Sequence, residues 1–192
     1  MSNTIDILAL NGVHAAGKST MGERLEKEGF NYLSETAQKL IEEGEDWGKD
    51  GDHEFQQTIH ETETGKDKEI LESDKTHAVI ETWHFGNIAH SMEIARSELV
   101  EEQKEYLERL KKNLDVEMYA IFLDMPTEKI WERSPHFEEG DEEVIDFYDN
   151  VRDNHFEIYD EFDIQYLVVE NGGDLDEAYE DVREYANKVI DK

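Results

Sequence analysis

Residues 12–19 read Gly-Val-His-Ala-Ala-Gly-Lys-Ser, which fits the spacing G-x-x-x-x-G-K-[ST], and no other stretch limits the fold as tightly. The residues before it, Ile-Asp-Ile-Leu-Ala-Leu at 5–10, form a short apolar run that stops at Asn11-Gly12, as a buried strand does. Residues 18–28 read as a helix closed by Gly29. A strand, a glycine-bounded loop and a helix in that order make a cradle for phosphate. Gly12 and Gly17 accept backbone conformations that other residues resist, so the amides of Val13, His14, Ala15, Ala16, Gly17 and Lys18 turn inward. The helix N-terminus adds its partial positive charge. Lys18 reaches the β and γ phosphates and the Ser19 hydroxyl binds Mg²⁺, with Thr20 closing the cofactor-binding run. ATP and Mg²⁺ are the cofactors this motif calls for.

Strands and helices alternate downstream. Residues 30–33 read as a second, short strand, and 35–43 as a helix with Ala37, Leu40 and Ile41 on one face, ended by Gly44. Residues 45–52 are rich in Gly and Asp and read as a loop, and Phe55, Ile59 and Ile70 mark another helical stripe. Residues 77–82 form a third strand. Ile88, Met92, Ala95, Leu99, Tyr106 and Leu110 follow helical spacing through one long helix, residues 87–112. Residues 116–124 are the clearest strand, Pro126 suits the first turn of a short helix, and 133–141 form an acidic loop. Val144, Tyr148, Val151, Ile158 and Phe162 mark a helix, 164–169 a fifth strand, and Leu175, Ala178, Val182, Ala186 and Val189 the last helix. The alternation predicts one α/β domain over residues 1–192, a parallel sheet covered on both faces. Pattern alone does not give the strand order.

Charge decides which partners to expect. The chain carries 50 acidic and 19 basic residues, a formal net charge of −31. The acids run the whole length, in clusters at 42–46, 101–105, 138–143 and 174–181, so they read as a solvated coat. Such self-repulsion destabilises a compact state unless salt screens it, which predicts a halophilic protein of a salt-rich cytoplasm. No basic stripe exists to displace counterions, so no nucleic-acid partner is expected. There is no Cys, hence no disulfide or thiolate metal site, and the His residues lack zinc spacing. No run approaches membrane-spanning length and the N-terminus has no signal-like pattern, so a soluble cytoplasmic chain is expected.

The class of phosphate-binding protein can be narrowed. The Asp-x-x-Gly and Asn-Lys-x-Asp signatures of GTPases do not occur. AAA-type motors carry paired acids after an apolar strand and a separate helical lid domain; here the third strand ends in a lone Glu81. The chain resembles the P-loop nucleoside and nucleotide kinases, above all the thymidylate-kinase-like and deoxynucleoside-kinase-like groups. The resemblance is carried by 10–20, by Tyr32-Leu33-Ser34-Glu35 and by Val79-Ile80-Glu81-Thr82-Trp83. It continues through Leu123-Asp124-Met125-Pro126-Thr127-Glu128 with Arg133, 151–159 and Val169-Glu170-Asn171-Gly172-Gly173. Glu35-Thr36-Ala37 with Phe55-Gln56 also resembles a looser group of small ATPase-like kinases. The fold so implied is a P-loop NTPase three-layer sandwich, five parallel strands in the order 2-3-1-4-5, with a short lid near residues 133–143.

By that resemblance Glu35 accepts the proton of an attacking hydroxyl; the alternative is a helix N-terminal Glu favoured by the dipole. Glu81 binds Mg²⁺ through water or positions the acceptor, since a carboxylate ending an apolar strand needs such a partner. Arg133 and Arg152 flank the lid and would stabilise charge on the transferring phosphoryl group; the alternative is surface ion pairing. Asn171 and Gly172 would contact the adenine edge, or form an ordinary turn. Trp83, His84 and Phe85 either stack on a base or pack in the core, and Arg96 is a further candidate for an acceptor phosphate. The related kinases place Arg after the acid that ends strand three, where this chain has Thr82, which favours an uncharged acceptor.

The expected function is thus an ATP-dependent kinase acting on a small-molecule acceptor, a nucleoside or nucleotide. The alternative is a nucleotide-sensing regulatory ATPase without such an acceptor. A homodimer through the helix at 87–112 is a further expectation of the resemblance.

Overall fold

In a computed structural model the described residues are 4–44, 53–113, 116–134 and 142–190. The central strand β1 (Ile5–Gly12) pairs on one side with β3 (His77–Glu81) and on the other with β4 (Val116–Asp124). The short β2 (Tyr32–Leu33) lies outside β3, and β5 (Gln165–Glu170) outside β4. All four pairings are parallel and the order is β2-β3-β1-β4-β5, as the resemblance implied.

Successive side chains of a strand face opposite sides of the sheet. Ile5, Ile7 and Ala9 therefore enter one apolar cluster, with Trp83, Phe85, Ile88, Val151 and Tyr159. Leu8 and Leu10 enter the other, with Met21, Leu25, Val182 and Ala186. Helices α4 (Trp83–Ile94), α5 (Ser97–Asn113) and α7 (Glu142–Glu161) cover the first face together with α3 (His53–Glu72). Helices α1 (Lys18–Lys27) and α8 (Leu175–Val189) cover the second. Asp174 starts α8 by accepting the amides of Asp176 at 2.8 Å and Glu177 at 3.4 Å, and the helix then buries Ala178, Tyr179, Val182, Tyr185 and Ala186. The remaining helices are short, α2 (Thr36–Glu42) and α6 (Ile130–Arg133).

Three expectations need correction. The long helix at 87–112 is two helices, because Ala95 is extended (φ −96°, ψ 168°) and the Arg96 carbonyl opens a new helix by accepting the amides of Leu99 and Val100. The apolar stripe hid the break, since the step from Ala95 to Leu99 keeps helical spacing across it. The second strand is confined to Tyr32–Leu33: Phe30 instead drops into the core beneath α1. Pro126 stands just outside a 3-10 turn, Thr127–Lys129, that leads into α6. Of the expected lid, residues 135–141 lie outside the described residues, as does the loop at 45–52. No helix among the described residues is long and apolar enough to cross a membrane.

Candidate active site

The phosphate loop leaves the end of β1 and enters α1. Gly12 has φ +144°, and a Cβ there would stand 2.8 Å from the Leu123 carbonyl and 3.1 Å from the Ala16 Cβ. Gly17, at φ +91°, caps α1, and even Ala15 takes a positive φ of 59°. Val13 and Ala16 pin the loop from below by entering the core. Ser19 and Thr20 are exposed on the first turn of α1.

The Lys18 ammonium folds over the loop and donates to the carbonyls of Gly12 and Val13, each at 3.2 Å. The residue is 8% exposed, and no carboxylate among the described residues pairs with it. A nearly buried cation satisfied only by carbonyls fits an anion. The residues present thus suit the phosphates of ATP, and the neighbouring Ser19 and Glu81 suit its metal.

Glu81, the last residue of β3, is buried and accepts two hydroxyls: Ser19 at 2.8 Å on Oε1 and Tyr32 at 2.6 Å on Oε2. Burial and the bond to Glu81 push the Tyr32 phenol up, so it stays a donor. Thr82 follows in a strained conformation, φ 66° and ψ −59°. Three bonds hold that strain: its amide donates to the Leu10 carbonyl at 2.9 Å, and its carbonyl accepts the Asn11 side-chain amide at 2.6 Å and the Gly86 amide at 3.0 Å. Its hydroxyl donates to Glu35 Oε1 at 3.1 Å. Where the resembling kinases have Arg, this chain offers a neutral donor to the candidate base.

Glu35 therefore lies next to the residue that follows Glu81, on the turn between β2 and α2. Its carboxylate is felt across the cleft. Tyr148 on α7 has its phenol raised by burial and then by Glu35; His90 on α4 is lowered by burial, with Glu35 and Lys18 both acting on it. His14 stacks on Tyr148 at 6.2 Å, and His90 meets the same ring edge-on at 6.5 Å. Tyr148 and His90 are site neighbours the sequence did not offer. Tyr148 was legible only as one member of a helical stripe, and nothing in the pattern marked His90.

The other candidates sit further along the strand ends. Asn171 is buried; its side-chain amide donates to the Ala16 carbonyl and its backbone amide to the Asp124 carbonyl at 2.7 Å. Arg133 donates to the Asn171 carbonyl at 3.3 Å, and Lys129 to that of Gly172. Arg152 makes a two-pronged pair with Asp124, at 2.9 and 2.8 Å. A cavity of about 460 Å³ opens here, lined among others by Asp124, Thr127, Asp149, Arg152 and Gly172. Trp83, His84 and Phe85 are core residues, not a stacking platform. All three are buried, and the Trp83 indole and His84 imidazole are bonded to Asp67 at 2.8 and 2.6 Å. Arg96 is exposed at the break between α4 and α5. Among the described residues no group of three or more His, Cys, Asp or Glu is arranged to hold a metal.

Five parallel strands in this order, with the glycine-bounded loop between β1 and α1, define a P-loop NTPase. Residues 8–146 match the family model described as AAA domain, and the chain belongs to that family. No curated protein matches the sequence. Among solved structures, deoxyadenosine kinase from M. mycoides with bound dATP is similar at 15% identity and a TM-score of 0.66, over 94% of this chain and 99% of that one. The same enzyme with products dCMP and dCDP is similar at 16% identity and a TM-score of 0.63, over 95% and 100%. NadR protein in complex with NR is similar at 14% identity and a TM-score of 0.68, over 98% of this chain and 54% of that one. The likeness is one of fold, and it is the fold of P-loop nucleoside and nucleotide kinases.

Proposed function

We propose that this chain is an ATP- and Mg²⁺-dependent phosphotransferase that phosphorylates a small acceptor, a nucleoside or nucleotide, in the cytoplasm of a salt-adapted cell. The observation that carries the reading is the Glu35–Thr82–Glu81 juxtaposition. A candidate base and a candidate metal carboxylate stand at the ends of neighbouring strands, beside Lys18 and Ser19 of the phosphate loop. Deoxyadenosine kinase, of like fold, holds dATP in one solved structure and the products dCMP and dCDP in another, which supports the acceptor class.

In this reading the loop amides of residues 13–18 and the Lys18 ammonium hold the phosphates, and Asn171 and Gly172 meet the adenine edge. Ser19 and Glu81 would hold Mg²⁺ beside the phosphates. Mg·ATP supplies the electrophilic phosphorus and the departing ADP. Glu35 takes the proton from the acceptor hydroxyl, aimed by Thr82. Lys18, Arg133 and Arg152 spread the charge that builds on the phosphoryl oxygens. Arg152 must first release Asp124.

That last requirement favours a second reading. With Arg152 held by Asp124 and Thr82 in place of Arg, a sensing ATPase would bind ATP and hydrolyse it slowly. ADP release from Mg·ATP in concentrated potassium chloride, against a panel of nucleosides and monophosphates, separates the two. Strong stimulation by one compound, abolished in Lys18→Ala, supports the kinase. Slow release that no panel member changes rejects it in favour of the sensing ATPase.

A further inference from the structure

Lys66, on α3, has no part in the reading above, yet its ammonium is turned into the protein, with 17% of the side chain exposed. It donates to the Ser34 carbonyl at 3.2 Å, to the Thr36 hydroxyl, and to Glu63 Oε1 at 3.2 Å. Ser34 and Thr36 are the residues on either side of Glu35. Glu63, one turn back on the same helix, is 1% exposed, and Thr36 donates to the same Oε1. Its Oε2 is buried without a partner among the described residues.

A buried ion pair is a poor source of stability, because desolvation offsets most of the attraction. What such a pair supplies is location. The turn carrying Glu35 has little else to locate it. β2 before it is two residues long, α2 after it seven, and Glu35 occupies the N-cap position of α2 without capping it. Its side chain is directed at Thr82 instead. One cation holding the Ser34 carbonyl before Glu35 and the Thr36 hydroxyl after it, with a buried counter-charge fixing that cation, removes the freedom this turn would otherwise have.

We infer that Lys66 is a positioning residue for the base, acting through the Ser34 carbonyl and the Thr36 hydroxyl with Glu63 as its anchor. The inference rests on Glu35 being the base of the kinase reading. A displacement of about 1 Å in such a group costs roughly 100-fold in rate.

The test measures kcat and KM in wild type, in Lys66→Arg, and in the double variant Lys66→Met/Glu63→Gln, which strands no buried charge. Each is made with and without Glu35→Gln. The double variant should lose roughly 100-fold in kcat with KM for Mg·ATP unchanged, and Lys66→Arg should retain part of the rate. In the Glu35→Gln background the double variant should cost nothing further. An undiminished further loss in that background, or a rise in KM for Mg·ATP in place of the fall in kcat, overturns the inference and leaves the kinase reading standing. A wild-type protein that no acceptor stimulates overturns the kinase reading itself, and the inference with it.

Discussion

The Ser19 hydroxyl donates to Glu81 Oε1 at 2.8 Å, and that bond joins the first turn of α1 to the end of β3. The carboxylate is shared between a residue of the phosphate loop and Tyr32 of β2, so three elements converge on one acid. Glu81→Gln keeps an acceptor but removes the charge. The Mg²⁺ concentration for half-maximal ADP release should rise roughly 10- to 100-fold, while nucleotide binding without metal changes little. An unchanged Mg²⁺ titration would take Glu81 out of the metal site.

Gly22 tests the same acid from behind. It lies inside α1, and a Cβ there would stand 2.1 Å from Tyr32 Cε2 and 2.4 Å from Cζ. Gly22→Ala must therefore move the ring that holds Glu81. We expect a loss of about 1–3 kcal/mol by urea denaturation, together with a raised Mg²⁺ requirement. Gly65, in α3, has none of the described residues within 4 Å of its would-be Cβ, so Gly65→Ala should stabilise by about 0.4–1 kcal/mol and leave the Mg²⁺ titration alone.

His155 sets a pH dependence. Burial lowers its pKa to about 3, against an ordinary 6.5. Its Nδ1 is bonded to the Val151 carbonyl at 2.7 Å, and Nε2 is buried without a partner among the described residues. Below pH 6.5 the unfolded chain takes up a proton that the folded chain refuses, so this contribution is full above the unfolded value and is lost as pH falls toward 3. His84 has the opposite sign. Burial lowers it, but the Asp67 carboxylate outweighs that and leaves it raised. Its contribution is full below its unfolded value and is lost as pH rises through the folded one. His155→Phe removes only the first. On going from pH 7 to pH 5, urea unfolding should show wild type losing about 2 kcal/mol more than the variant. Equal losses would mean that His155 charges in the folded state.

The phosphate loop and the sheet were readable because their signals are local. A glycine-bounded motif after an apolar run fixes a strand, a loop and a helix, and strands buried on both faces show as continuous apolar runs. The order of the strands came only from resemblance, since apolar runs do not say which neighbours they pair with. The break at Ala95 escaped because helical spacing survives it. In the site, Glu35 and Glu81 could be named singly, but not the relation between them. Thr82 reads as a missing Arg in sequence, whereas in space its hydroxyl reaches Glu35 on the turn after β2. Lys66 looks like any charge on a helix until the chain folds it under Ser34 and Thr36.

Gly12 owes its shape to a partner from the other half of the chain. Its register mate is Leu123, whose carbonyl fills the space a Cβ would need. During synthesis the whole glycine motif leaves the ribosome long before β4 exists to wall it. A nascent chain, or an N-terminal fragment ending before residue 116, carries every letter of the motif without the surface that shapes it. In the proposed function, the phosphate loop is therefore walled only once the fourth strand has been made.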